Sequence, residues 1–246
     1  MVATDMPTDQ STQGQAAVPG VVDGLTGLAN TGLLRLLQLT SANLPVGGFS
    51  FSQGLETACE KGWITNKSET NEWLTLQVEH SLTYLDLPIL LRAHKAATER
   101  DLKRLQYWDD YLLACRETRE LYLADTAMGQ ALRRLLTSLE IDCPLNNPCS
   151  FVTLFAIAAA HWRIHSSLCA YGFCWSWLEN QVMAATKLVP LGQTQAQQLL
   201  GQLNGSITGG IAIAESLPDE ALGASLPGLS IASCWHEHQY SRLFRS

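Results

Sequence analysis

The stretch Leu44-Pro45-Val46-Gly47-Gly48-Phe49-Ser50-Phe51-Ser52-Gln53-Gly54-Leu55-Glu56 follows a leucine-rich helix, Leu33 to Leu39, that it cannot continue. Pro45 disfavours helical angles at Leu44, and Gly47-Gly48 opens backbone angles closed to other residues. Ser50, Ser52 and Gln53 can satisfy the backbone groups of the turn before a new helix begins near Gly54. Whatever the fold, the chain must turn here and start again. Taken alone, the spacing describes a buried helix-to-helix connector.

The remainder also reads as helices. Leucine outnumbers valine plus isoleucine by 40 to 18, which favours helix over sheet. Gly54 to Glu60 is a short helix with Gly62 as its stop. Asn66 caps the next, Glu69 suits a capping box, and Trp73, Leu76 and His80 carry it to about Leu82. Asp86-Leu87-Pro88 reads as a fresh start, with Asp as cap and proline in the first turn. Asp101 to about Cys115 and Thr118 to Leu139 have amphipathic spacing. Asp142 to Pro148 is a loop. Two more helices, Phe151 to about His165 and Ser166 to Leu188, supply Trp162, Tyr171, Phe173, Trp175 and Trp177 to an all-helical core. Val189-Pro190-Leu191-Gly192 breaks the pattern, and Thr194 opens a last long helix. In it Gly201, Gly205 and Gly209 lie nearly opposite Leu199, Leu203, Ile207 and Ile211. Each interior glycine costs about 1 kcal/mol against alanine, so a close neighbour is expected there, inside the fold or at a subunit contact. Ser216 to Ser233 is turn-rich.

The expectation is an all-α, single-domain bundle of roughly nine or ten helices over residues 31–246. Residues 1–30, rich in Thr, Gln, Gly, Ala and Pro, have too little apolar mass to offset their ordering entropy and read as a flexible extension. The net charge is −7, and nine of the sixteen basic residues fall between Arg92 and Arg134 with seven acids interleaved. That describes a solvated mixed-charge face and argues against a nucleic-acid stripe. Seven cysteines without a C-x-x-C pair suggest free thiols in a reducing, cytoplasmic setting. With no basic n-region and apolar h-region in the first residues, no secretory signal is expected, and the longest apolar run, Phe151 to Ala160, is short of the roughly 20 residues that span a bilayer.

No Gly-Lys pair occurs, so a P-loop is excluded, and G-x-S-x-G is absent. His161, His165 and Cys169, four apart, would share a face if one helix ran through all three, and could ligate a divalent transition metal. With a carboxylate such as Glu179 they would make a small helical metal-dependent hydrolase. Ser166-Ser167 and the apolar surroundings weigh against this. Cys143 and Cys149 bracket a loop, as a chelating or cross-linking pair or as ordinary thiols. The segment 234–246 closes the chain. Ordering His236 to Ser246 costs more than burying Tyr240, Leu243 and Phe244 returns. The tail is therefore expected to fold on a partner, with Arg242 and Arg245 as anchors; the alternative is a tail docked on its own core.

Three stretches, in order, carry a resemblance. They are the L-L-x-L helix end followed by Leu44 to Glu56, then Leu188 to Gln193 with Gln197-Gln198-Leu199-Leu200, and then His236 to Ser246. Together they resemble the urease accessory protein F (UreF) family over Leu33 to Ser246. The resemblance implies a helical, non-enzymatic adaptor that dimerises, binds the accessory protein UreD (UreH in some systems) and recruits the GTPase UreG. The complex delivers nickel to apo-urease. Control of the UreG GTPase has been inferred for the family. By position, Tyr240 to Ser246, with Tyr240, Arg242, Leu243, Phe244, Arg245 and Ser246 as the candidates, would bind UreD, and His236 and Glu237 join the partner-binding set. Phe49, Ser50, Phe51, Gln53 and Glu56 would lie at a surface near UreD and UreG. Where family members often carry Tyr or His, Phe51 retains packing and loses the polar contact. Asp86 and Pro88 fit a D-x-P pair common in the family. No cofactor is implied for the chain itself, the nickel being handled by the complex. His236 and His238, either side of Glu237, are candidates for transient nickel contact or for recognition. Gly201, Gly205 and Gly209 are the candidate dimer face.

Overall fold

The computed structural model describes residues 30–223 and 225–246. Apart from Asn30, the extension expected over 1–30 lies outside the described residues. In chain order the helices are α1 (Asn30–Thr40), α2 (Leu55–Glu60), α3 (Lys67–Leu76), α4 (Leu87–Glu99), α5 (Leu102–Ala114), α6 (Arg119–Ser138) and α7 (Phe151–His161). They continue as α8 (Ser166–Leu188), α9 (Gln193–Gln202), α10 (Asn204–Ser216) and α11 (Pro227–His236). A π-helical segment, Gln77–Asp86, joins α3 to α4 without a break, and only Leu203 separates α9 from α10, so the described residues form nine rods. No helix among them is long and apolar enough to cross a membrane. The chain is all-α, as its leucine excess suggests.

The core is built around α7. Its residues Phe151 to Ala159 are buried all round, and a helix apolar on every side must be enclosed. It packs on α4, α5, α6 and α8. Local signals set most boundaries. Asn66, Asp101, Thr118 and Ser150 each accept an N–H from the first turn of the helix that follows. Glu69 reaches back to Thr65 N and Oγ1, one residue before the cap.

Several expectations are corrected. Asp86 does not cap a new helix: its own angles are helical, and its carboxylate turns to Arg116. Pro88 is nonetheless accommodated, because the preceding turn is widened. Leu87 N bonds back five residues to Leu82 O, and the Tyr84 carbonyl that a residue-88 N–H would have met accepts from Gly223 N at 3.0 Å. The helix from Phe151 stops at His161 rather than His165, with Arg163 left-handed at φ 55°. The turn-rich 216–233 region contains most of α11, entered through Pro227. The long helix from Thr194 is interrupted at Leu203. Trp175 is exposed and Trp162, Tyr171 and Trp177 half-buried, leaving Phe173 as the core aromatic of that set. The mixed-charge face is not all solvated either: Asp109, Glu120 and Asp125 are buried, and Arg116 nearly so.

The glycine stripe is also different. A Cβ on Gly201, Gly205 or Gly209 would meet nothing within 4 Å. The gripped glycine is Gly210, where a Cβ would collide with Thr83 Oγ1 of the π segment. Burial inside the fold is therefore excluded for the stripe.

Candidate partner-binding site

The signature turn is shaped by three left-handed residues, Gly47 (φ 72°), Gln53 (φ 50°) and Gly54 (φ 84°), around a 3-10 turn at Gly48–Ser50. Gly48 lies against α8, where a Cβ would come within 2.9 Å of Asn180 Nδ2. The turn sends Phe51 inward (5% exposed) and Phe49 outward (58% exposed). Gln53 Oε1 accepts from Trp177 Nε1 at 2.9 Å, fixing the end of the turn to α8.

The tail that follows α11 lies on this turn. Arg245 N donates to Ser50 O at 2.8 Å. Ser246 O accepts from Ser52 N, from Gln53 N at 3.1 Å and from Ser52 Oγ at 3.0 Å. Glu56, in the first turn of α2, receives Leu243 N at 2.6 Å and Phe244 N at 2.9 Å, one on each carboxylate oxygen. Phe244 fills a small separate cluster with Leu55, Ala58, Ile64, Ala184, Ala185 and Val189. Arg242 bonds Glu120 of α6 at 2.9 Å, and Arg119 bonds Glu237 at 2.9 Å. The Arg245 guanidinium stands 5.6 Å from the Phe51 ring centre.

The tail is thus ordered on its own core, where the entropy argument expected it to wait for a partner. Apolar burial alone does not hold it there; main-chain hydrogen bonds add about 0.5–1.5 kcal/mol each, and those to charged acceptors about 1.5–3 kcal/mol. Only part of the tail faces inward. Phe244, Ser246 and His236 are buried, whereas Tyr240, Leu243, Arg242 and Arg245 are exposed. Together with Phe49 they form an outward set of aromatic, aliphatic and guanidinium groups, the chemistry enriched in protein interfaces. Beside them the Trp63 and Trp235 rings meet at a tilt of 52°, with centroids 5.5 Å apart and both partly exposed. Neither tryptophan was singled out from sequence; their pairing depends on α2 lying against α11, which no periodicity encodes.

Behind the turn is a cavity of about 90 Å³ bordered by Phe51, Gln53, Gln77, Asp86, Arg116 and Gln181 among others, large enough to hold water. Arg116 bridges Asp86 at 2.7 Å and Asp125 at 2.8 Å. Burial opposes the charge on Arg116, but Asp125 and Asp86 outweigh it and hold the guanidinium above its usual range. Burial pushes the Asp86 carboxyl up, against the pull of Arg116. Asp125 also receives Ser150 Oγ and Phe151 N, tying the start of α7 to α6.

The metal candidate is not assembled. His161 is exposed at the end of α7, and His165 caps α8 by accepting from Ser167 N at 3.3 Å. Cys169 is fully buried, where burial raises its thiol pKa strongly. A turn separates the first two, so the three do not share a helix face. Among the described residues no group of three His, Cys, Asp or Glu side chains is placed to hold a metal. Cys143 and Cys149 are free thiols, as are the other five cysteines. His236 is fully buried and His238 exposed, so the two do not form a pair.

Comparison with known proteins places these features in one context. The UreF family model matches residues 64–204. A urease accessory protein UreF of Marinomonas sp. (strain MWYL1) is 57% identical over 87% of this chain and 94% of its own length. That of Teredinibacter turnerae is 50% identical over 88% and 100%. The Nostoc sp. (strain PCC 7120) protein, also a urease accessory protein UreF, is 41% identical over 90% and 99%.

Proposed function

This chain belongs to the UreF family of urease accessory proteins, and from that premise we propose that it is a non-enzymatic adaptor bridging UreD (UreH) and the GTPase UreG. In this reading the complex inserts nickel into apo-urease in the cytoplasm, and the chain modulates the UreG GTPase while holding no resident metal of its own. The observation that carries it is the way the signature turn and the tail share one surface. Their main chains are tied together, and Phe49, Tyr240, Arg242, Leu243 and Arg245 are left outward. Rigid, exposed aromatic and guanidinium groups on an ordered backbone lose little entropy when a partner covers them. The chain acts as a homodimer whose contact uses the open Gly201, Gly205 and Gly209 side.

Co-expression with UreD and UreG, followed by sizing, tests the proposal. The full chain is expected to elute with both partners, and a chain lacking 236–246 alone. Retention of UreD by the shortened chain would remove the basis for the reading.

A further inference from the structure

His236 was a candidate for contact with nickel or partner, yet its ring is wholly enclosed. Each ring nitrogen meets a different helix. Nδ1 lies 2.6 Å from Glu120 Oε2 on α6, and Nε2 lies 2.9 Å from Glu56 Oε2 on α2. These are the two carboxylates that seat the tail: Glu56 takes Leu243 N and Phe244 N, and Glu120 takes the Arg242 guanidinium. With both carboxylates ionised, and so acceptors only, each ring nitrogen donates, as an imidazolium does. The charges of Glu56, Glu120, His236 and Arg242 then balance, with the Arg242 guanidinium at the exposed edge of the cluster. Without the ring the two carboxylates would lose the group that stands between them, Arg242 being bonded to Glu120.

We propose that His236 is the positioning residue that couples the signature turn to the tail, its doubly donating ring holding Glu56 and Glu120 where they receive residues 242–244. The ring touches no partner. It sets the place of the groups that do, so this inference deepens the adaptor reading and rests on it for its consequence in binding.

The test uses the full chain. In His236→Ala the amide hydrogens of Leu243 and Phe244 are expected to exchange at least about tenfold faster than in the wild type, and co-purified UreD is expected to fall. Added imidazole, which can re-enter the space left by the ring, is expected to restore both. A residue that merely filled volume would not require an N–H donor at both sides, so nitrogen NMR of the wild-type ring should find both nitrogens protonated. Unchanged exchange in His236→Ala, or a ring with one bare nitrogen, would overturn the proposal. If His236→Ala does not fold, Glu120→Gln keeps the volume and removes one carboxylate; it should raise the same exchange, and its failure to do so counts equally against the idea. Faster exchange with undiminished UreD capture would uphold the positioning role and overturn the adaptor reading of the tail instead.

Discussion

Both oxygens of Glu56 are committed to groups at least 180 positions away in sequence. An amide cannot replace this carboxylate, since one of its two ends donates where Leu243 N or Phe244 N also donates. Glu56→Gln is therefore expected to loosen the tail by about 1.5–3 kcal/mol while α2 itself survives, measurable as faster proteolysis after Arg242. Asp109 carries a different prediction. It is buried, receives Ser150 N at 3.0 Å and leaves its second oxygen unpartnered. Burial pushes its carboxyl from 3.8 up to about 6. A raised carboxyl favours the folded state fully below its unfolded pKa, and that advantage is lost as pH rises through the folded value. Asp109→Asn, whose amide can donate to the neighbouring Thr153 hydroxyl, escapes the loss. Its stability relative to wild type should rise from near zero at about pH 4 to as much as ~3 kcal/mol above about pH 6, read from urea melts at the two ends. Glu56 was legible as part of the signature; its partners were not. Glu120, Asp125 and Arg116 were hidden for a physical reason. Charges that alternate along a helix look solvated, and only the packing of α6 against α7 and the tail decides which of them are enclosed.

Helix starts at Asn66, Asp101 and Thr118 were the most legible boundaries, because each of these side chains caps a residue three positions ahead. Breaks made by tertiary contact were not legible. Nothing at Leu203 announces an interruption, and the π segment depends on Gly223 supplying a donor to Tyr84 from more than a hundred residues away. The glycines of α9 and α10 turn this into a measurable contrast. Gly210→Ala drives a methyl into Thr83 Oγ1, which is held by Val78 O at 2.7 Å. Overpacking there should cost about 1–3 kcal/mol, a fall in Tm of roughly 2–4 °C per kcal/mol for a chain of this size. Gly209→Ala meets open space and should gain up to about 1 kcal/mol in helix propensity. Sizing of the same variant addresses the proposed dimer. A stripe used as a close subunit contact would not tolerate the added methyl, so stability should rise while self-association falls. A rise in both would move the dimer contact elsewhere.

At the scale of the molecule, the turn after α1 and the tail after α11 meet, and residues 242–246 complete a small core that the main cluster around α7 does not include. Its size limits what any single change there can cost. A fully buried phenylalanine replaced by alanine typically costs about 3–5 kcal/mol. The tail can escape that penalty by undocking, so Phe244→Ala cannot lose more than the free energy of docking itself. Removing residues 243–246 sets that ceiling directly, since it deletes Phe244 together with the Ser246 contacts to Ser52 and Gln53. If hydrophobic burial and main-chain bonding hold the tail as one cooperative unit, the two variants should melt at the same temperature and both should fail to retain UreD. A Phe244→Ala protein that melts well above the truncated one would mean that the hydrogen bonds keep the tail seated unaided. The signature turn would then grip the backbone of residues 245–246 independently of the phenylalanine, and loss of partner binding in that variant would have to come from the exposed side chains rather than from release of the tail.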